Sequence, residues 1–217
     1  MPKVKIPRKS TIIDMTAMCD VAFLLLSFFI LATKQKPPEV LAVTPPNSVS
    51  SKAAPEKSIL VTLTKEGKVF LMLGDETKKA DILSNINTLK GLNLSAEELA
   101  KWNKAQFIGM PLNQIKGSLS RAVEIPASKL SGIPCDSVNN EMIDWMKSIS
   151  NVYAGTDQRQ LQEMLLIKGD NSALYPAFKK VKEAFKKNEI YKFRIVTNGE
   201  AVPVGSELYL DQTKVGN

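Results

Sequence analysis

Residues 12–33, IIDMTAMCDVAFLLLSFFILAT, form a run of 22 positions without a basic residue. A helix of that length rises roughly 33 Å, which matches the hydrocarbon core of a bilayer. The run contains Asp14 and Asp20, and no small-x-small cleavage site precedes Lys34. It therefore reads as an uncleaved transmembrane helix in preference to a signal peptide. The pattern then changes. Residues 34–57 carry Pro37, Pro38, Pro45, Pro46 and Pro55 together with Ser48, Ser50 and Ser51, which predicts an extended, poorly ordered tether. From residue 58 short periodic elements begin. Ile59–Thr64 and Val69–Leu73 are β-rich runs around Lys65-Glu66-Gly67-Lys68 and predict a hairpin, with Ile59, Val61 and Leu63 on one face. Ile82, Ile86 and Leu89 predict a helix over 78–89.

The regular pattern resumes near the end of the chain. Residues 164–168 read as a strand, 169–172 as a turn, 174–187 as a helix and 191–197 as a last strand. The helix has an apolar stripe of Leu174, Phe178, Val181 and Phe185, and its other faces carry lysines. That lysine face reads as solvated, with acidic lipid or a partner as the alternative. The order β-β-α, insertion, β-α-β predicts an α+β domain over 58–217, a small sheet backed by helices. Residues 90–160 form the insertion, mostly helical or irregular. It has a capping box from Ser95 to Glu98 and a helix over 140–149 with Met142, Trp145, Met146 and Ile149 inward. Trp102, Phe107 and Trp145 read as packing residues. On this reading residues 92–158 are removable without loss of the core.

Composition narrows the chemistry. Hydrophobic residues make up 44% and charged residues 24%, which excludes wholesale disorder and leaves room for one membrane span. Histidine is absent and the two cysteines, Cys19 and Cys135, stand far apart. Zinc sites, imidazole-based triads and a disulfide scaffold are excluded, and no metal or cofactor is expected. Cys135 reads as a free or intermolecular thiol. Ser118, Ser120 and Asp136 have neither a general base nor an oxyanion motif beside them, so no enzyme site is expected. The formal charge is +7, but Lys3, Lys5, Arg8 and Lys9 supply more than half of it. No aromatic residue interleaves these charges, so nucleic acid is not an expected partner. A basic tail over 1–11 ahead of the span places the amino terminus in the cytoplasm by the positive-inside rule.

Asp20 is the candidate functional residue. It lies about 12 Å into the span, where a carboxylate facing lipid costs roughly 2.5 to 3.5 kcal/mol on insertion scales. It must face protein or water. At 100° per residue Thr16 and Ser27 fall within about 40° of it, so the three form one polar stripe. Asp14, about 120° away, reads as an interfacial charge at the helix start.

The stretch Ile13-Asp14-Met15-Thr16-Ala17-Met18-Cys19-Asp20-Val21, followed by Leu24-Leu25-Leu26, resembles the transmembrane signature of the ExbD/TolR family of biopolymer-transport proteins, I-N-x-T-P-x-x-D-V. Asp14 replaces the usual asparagine and Ala17 the frequent proline. Pro55-Glu56-Lys57 before Ile59-Leu60-Val61 resembles the entry to the family's periplasmic domain. The Gly169-Asp170-Asn171-Ser172 turn, Tyr175 and Val181–Phe185 resemble its R-A-D-x-x-x-x-Y-x-x-L-x-x-V run. A more distant similarity links Asp20 to flagellar stator B subunits.

The resemblance implies a proton-motive-force-driven motor subunit rather than an enzyme, with Asp20 as proton carrier and Thr16 and Ser27 in support. It implies a multispanning ExbB/TolQ-like ring around a pair of these helices, a homodimer in the inner membrane with its C-terminal domain periplasmic. A TonB-like protein would receive the motion for outer-membrane transport, and membrane lipid surrounds the span. Two alternatives stand beside it. One is a TolR-like or stator-like anchor that binds peptidoglycan or envelope proteins, and the other is a periplasmic enzyme or binding module housed in 90–160.

Overall fold

The computed structural model describes residues 15–32, 41–50, 52–55, 57–119, 129–136, 139–154, 158–207 and 209. The chain divides into two compact units, Met1–Glu39 and Val40–Asn217. In the first, helix α1 (Met15–Ala32) has no buried residue. Large apolar side chains such as Phe23, Leu24, Leu25, Phe28 and Ile30 are exposed around it. A helix that exposes so many large apolar side chains has no stable place in water, and α1 is long and apolar enough to cross a membrane. The rest of the predicted span, residues 12–14 and 33, lies outside the described residues.

The second unit is built on strands β2 (Ile59–Leu63), β3 (Val69–Leu73), β4 (Leu165–Gly169) and β5 (Arg194–Ile195), in the order β3-β2-β4-β5. β2 and β3 are the predicted hairpin, turned at Gly67 with φ +80°. β4 runs parallel to β2, in register from Ile59 with Leu165 to Leu63 with Gly169. Central strands covered on both faces need apolar groups on both, and Leu165, Leu166 and Ile167 are all buried. β5 is shorter than the strand expected over 191–197. Phe193 turns toward helix α7 (Tyr175–Lys187), with ring centroids 6.4 Å from Phe178 and 5.6 Å from Phe185, so residues before 194 pack and do not pair.

Helix α2 (Glu76–Lys90) begins where the Asp75 carboxylate accepts the Thr77 N–H and stops at Gly91 with φ +59°. The region 90–160 then departs from the expectation of a removable insertion. Among the described residues its helices are α3 (Ala96–Lys104), α4 (Leu112–Leu119) and α5 (Met142–Tyr153); α6 (Gln158–Met164) leads into β4. Trp102, Ile108, Ile115, Met142, Trp145 and Ile149 belong to the same buried cluster as the sheet, α2 and α7. The Trp102 and Trp145 rings meet edge to face at 5.6 Å. Ser148 donates its buried hydroxyl to the Ile82 carbonyl at 2.8 Å, joining α5 to α2. The capping box at Ser95 and Glu98 is present.

The same region also covers β3, which would otherwise offer an open edge. Leu71 and Ile108 exchange both backbone hydrogen bonds, at 2.8 and 2.7 Å, and Ile133 donates to the Val69 carbonyl at 2.7 Å. Covering an edge removes a template for aggregation. Gly109 permits this approach, since a Cβ there would lie 2.1 Å from the Phe70 ring.

The predicted tether differs as well. Residues 41–50 form part of the second unit, with Val43 and Pro45 buried. Strand β1 (Asn47–Ser48) pairs parallel with β6 (Asn198–Gly199). Asn198 donates its backbone N–H to Pro46 at 2.9 Å and its amide to the Pro45 carbonyl at 3.1 Å, and Glu200 donates to Ser48 at 2.9 Å. Prolines hold the segment extended and lack N–H donors, but their carbonyls still accept. The prolines that suggested a free linker thus supply its docking contacts. Residues 34–40, 51 and 56 of the tether lie outside the described residues.

Trp145→Ala should lower unfolding stability by about 3 to 5 kcal/mol, as expected for deleting a fully buried indole. Chemical denaturation followed by circular dichroism measures this. A chain lacking residues 92–158 should lose its cooperative transition; a sharp one would show that the insertion is dispensable.

Candidate functional site

All three residues singled out from the sequence lie on α1. Thr16 stands one turn before Asp20, and Ser27 about two turns after it. Asp20 and Thr16 are exposed within this unit and Ser27 is half-buried. The Ser27 hydroxyl donates to the Leu24 carbonyl at 2.9 Å. Its proton is therefore committed to the helix backbone, and its oxygen is left to accept a hydrogen bond along the stripe. A carboxyl group on this stripe has two forms with different needs: the acid tolerates an apolar contact, whereas the carboxylate requires water or donors. Asp14 lies outside the described residues.

Neither cysteine adds a redox site. Cys19 is exposed on α1 and both thiols are free. Burial pushes the Cys135 thiol up to about 12, with smaller upward contributions from Asp136 and Glu141. At neutral pH it stays protonated and a poor nucleophile.

Sequence reasoning placed Asp170 only in a turn, yet it also holds the incoming segment. One carboxylate oxygen accepts the Ser172 N–H at 2.8 Å, within the turn that closes β4, and the other accepts the Thr44 N–H at 3.1 Å. Asn171 returns a hydrogen bond to the Thr44 carbonyl at 2.9 Å. Residue 44 is thus fixed through both of its backbone groups. The hydrogen bonds from Ser172 and then Thr44 hold the Asp170 carboxyl below its ordinary value, assisted by Lys65. An aspartate opening a tight turn was the available signal, but its second partner lies 126 residues away.

Comparison with known proteins adds one match. The family model described as "Biopolymer transport protein ExbD/TolR" matches residues 7–200, a span that takes in α1, the docked segment and the whole sheet. No curated protein and no solved structure matches the chain.

The Asp170 contacts set a pH dependence. A group whose folded value is depressed stabilises the fold above its ordinary value, near 3.9, and loses that contribution as pH falls through the depressed value. Docking of residues 41–50 should therefore loosen in acid below about pH 4. Asp170→Asn should loosen it already at neutral pH. Faster amide hydrogen exchange at Thr44 and Asn171, with core amides unchanged, is the expected readout; unchanged exchange at Thr44 would show that the carboxylate does not hold the segment.

Proposed function

Because the chain belongs to the ExbD/TolR family, we propose that it is the proton-motive-force-driven subunit of an ExbB–ExbD type inner-membrane complex, with Asp20 as its proton carrier. Membership in the family assigns a transport-associated, energy-transducing role, and with α1 it makes the chain a single-pass membrane protein. The finer reading rests above all on one observation: among the described residues of that unit, Asp20 is the sole carboxyl, in a helix whose other side chains are uncharged.

Asp20 takes up a proton from the outer side and becomes compatible with a dry interface. On release toward the cytoplasm it becomes a carboxylate that must meet water or donors. Each proton crossing 100 mV releases about 2.3 kcal/mol, which drives the repacking between these two states. Thr16, one turn away, orients the carboxyl or a water beside it, and Ser27 extends the polar track. A single helix cannot enclose such a track in lipid. A multispanning ExbB/TolQ-like ring around a pair of these helices supplies the rest. The amino terminus is cytoplasmic and the second unit periplasmic, where it passes motion to a TonB-like protein for outer-membrane transport.

Asp20→Asn keeps size and hydrogen-bonding capacity but cannot exchange a proton, so energised uptake should fall to the level of de-energised cells while membrane insertion and partner assembly persist. Thr16→Val should cause only a partial loss, because it removes an orienting hydroxyl and not the carrier. Uptake is measured in cells without a second copy of the protein. Full proton-dependent uptake by Asp20→Asn would return Asp20 to an interhelical hydrogen-bonding role and favour an envelope-anchoring function.

A further inference from the structure

Helix α7 buries Val181, Ala184 and Phe185 against the core and turns its opposite side to solvent. On that side Tyr175, Lys179, Lys182 and Lys186 recur at i, i+4, i+7 and i+11, within about 60° of one line along roughly 16 Å of helix. All four side chains are exposed, and Lys187 and Glu183 flank the line. Glu183 is the one acidic group of this helix. Phe193 packs on Phe178 and on the buried Phe185, so the segment after the helix joins α7 away from the lysine line.

We propose that this face of α7 docks on anionic phospholipid headgroups. The composition is that of a peripheral membrane contact, in which lysines reach phosphates from apolar stems and tyrosines sit at headgroup level. Charge complementarity selects an anionic surface. Lipid is the occupant because α1 commits the chain to a bilayer, so headgroups are present at an effective concentration that a freely diffusing acidic partner lacks. Lys180, at the margin, is engaged by Asp136 at 3.5 Å and is not part of the contact. The inference needs the chain to be membrane-anchored but not that Asp20 carries protons. Its test reads lysine reactivity and not transport, so either idea can fail alone.

The experiment is amine acetylation, followed residue by residue by mass spectrometry. It uses the full-length protein in nanodiscs of phosphatidylcholine alone or with about one-third phosphatidylglycerol. Lys179, Lys182 and Lys186 should react several-fold more slowly in the anionic discs, and about 0.5 M salt should abolish the difference. Lys101 and Lys104, exposed on α3, should react alike in both discs. Combining Lys179→Glu, Lys182→Glu and Lys186→Glu should return Lys187, the next lysine of the helix, to its neutral-disc rate, with thermal unfolding confirming an intact fold. Equal rates in the two discs would overturn the proposal, as would continued protection of Lys187 in the triple variant. Protection in native membranes but not in anionic discs would also overturn it, by assigning the face to a protein or acidic glycan.

Discussion

A carboxylate cannot remain unpartnered inside a bilayer, and the proposed function grows from that constraint. Asp20 sits in an 18-residue helix whose other described side chains are apolar or small and uncharged. The cost of exposing its charge to lipid, roughly 2.5 to 3.5 kcal/mol on insertion scales, is of the same order as the energy of one proton crossing 100 mV, about 2.3 kcal/mol. On the proposed function, the similarity of these magnitudes is what suits the residue to energy conversion. Protonation removes most of the penalty, and deprotonation restores the demand for water or donors. A partner that offers a dry surface in one position and a polar one in another would translate that alternation into movement.

The second unit is held together by contacts distant in sequence. The region between the two halves of the sheet supplies Trp102 and Trp145 to the core and backbone partners to β3 at Ile108 and Ile133. The segment that follows α1 in the chain is fastened at Thr44, Pro45, Pro46 and Ser48 to the Asp170 turn and to Asn198 and Glu200 at β6. Any load applied to that segment therefore reaches the sheet at two places, the end of β4 through Asp170 and the end of β5 through β6. Fastening depends on a few hydrogen bonds, several at exposed groups, which places it among the more readily opened parts of the fold.

The span, the hairpin and α7 were legible in the sequence because each encodes its own burial: a long apolar run, an alternating pair of strands, a stripe at helical spacing. The polar stripe through Thr16, Asp20 and Ser27 follows from helical phase alone. Other features depended on partners that local pattern does not reveal. Pro45 and Pro46 look like linker residues until Asn198, 153 positions from Pro45, is seen donating to them. Trp145 fits an amphipathic helix equally well on an appendage or in a core; contact with Trp102 and the shared cluster decides. The strand expected over 191–197 is shortened to β5 for the same reason, since Phe193 packs on α7 and does not extend the ladder.

Infrared difference spectroscopy of the complete membrane complex tests the central claim most directly. The carboxylic-acid C=O band of Asp20, identified by its loss in Asp20→Asn, can be followed as pH is varied on the two sides of the membrane. The account predicts a band that appears with acid on the outer side and disappears as the proton is released toward the cytoplasm. A band that never changes, or that is never present, would contradict it, because a carrier must populate both protonation states.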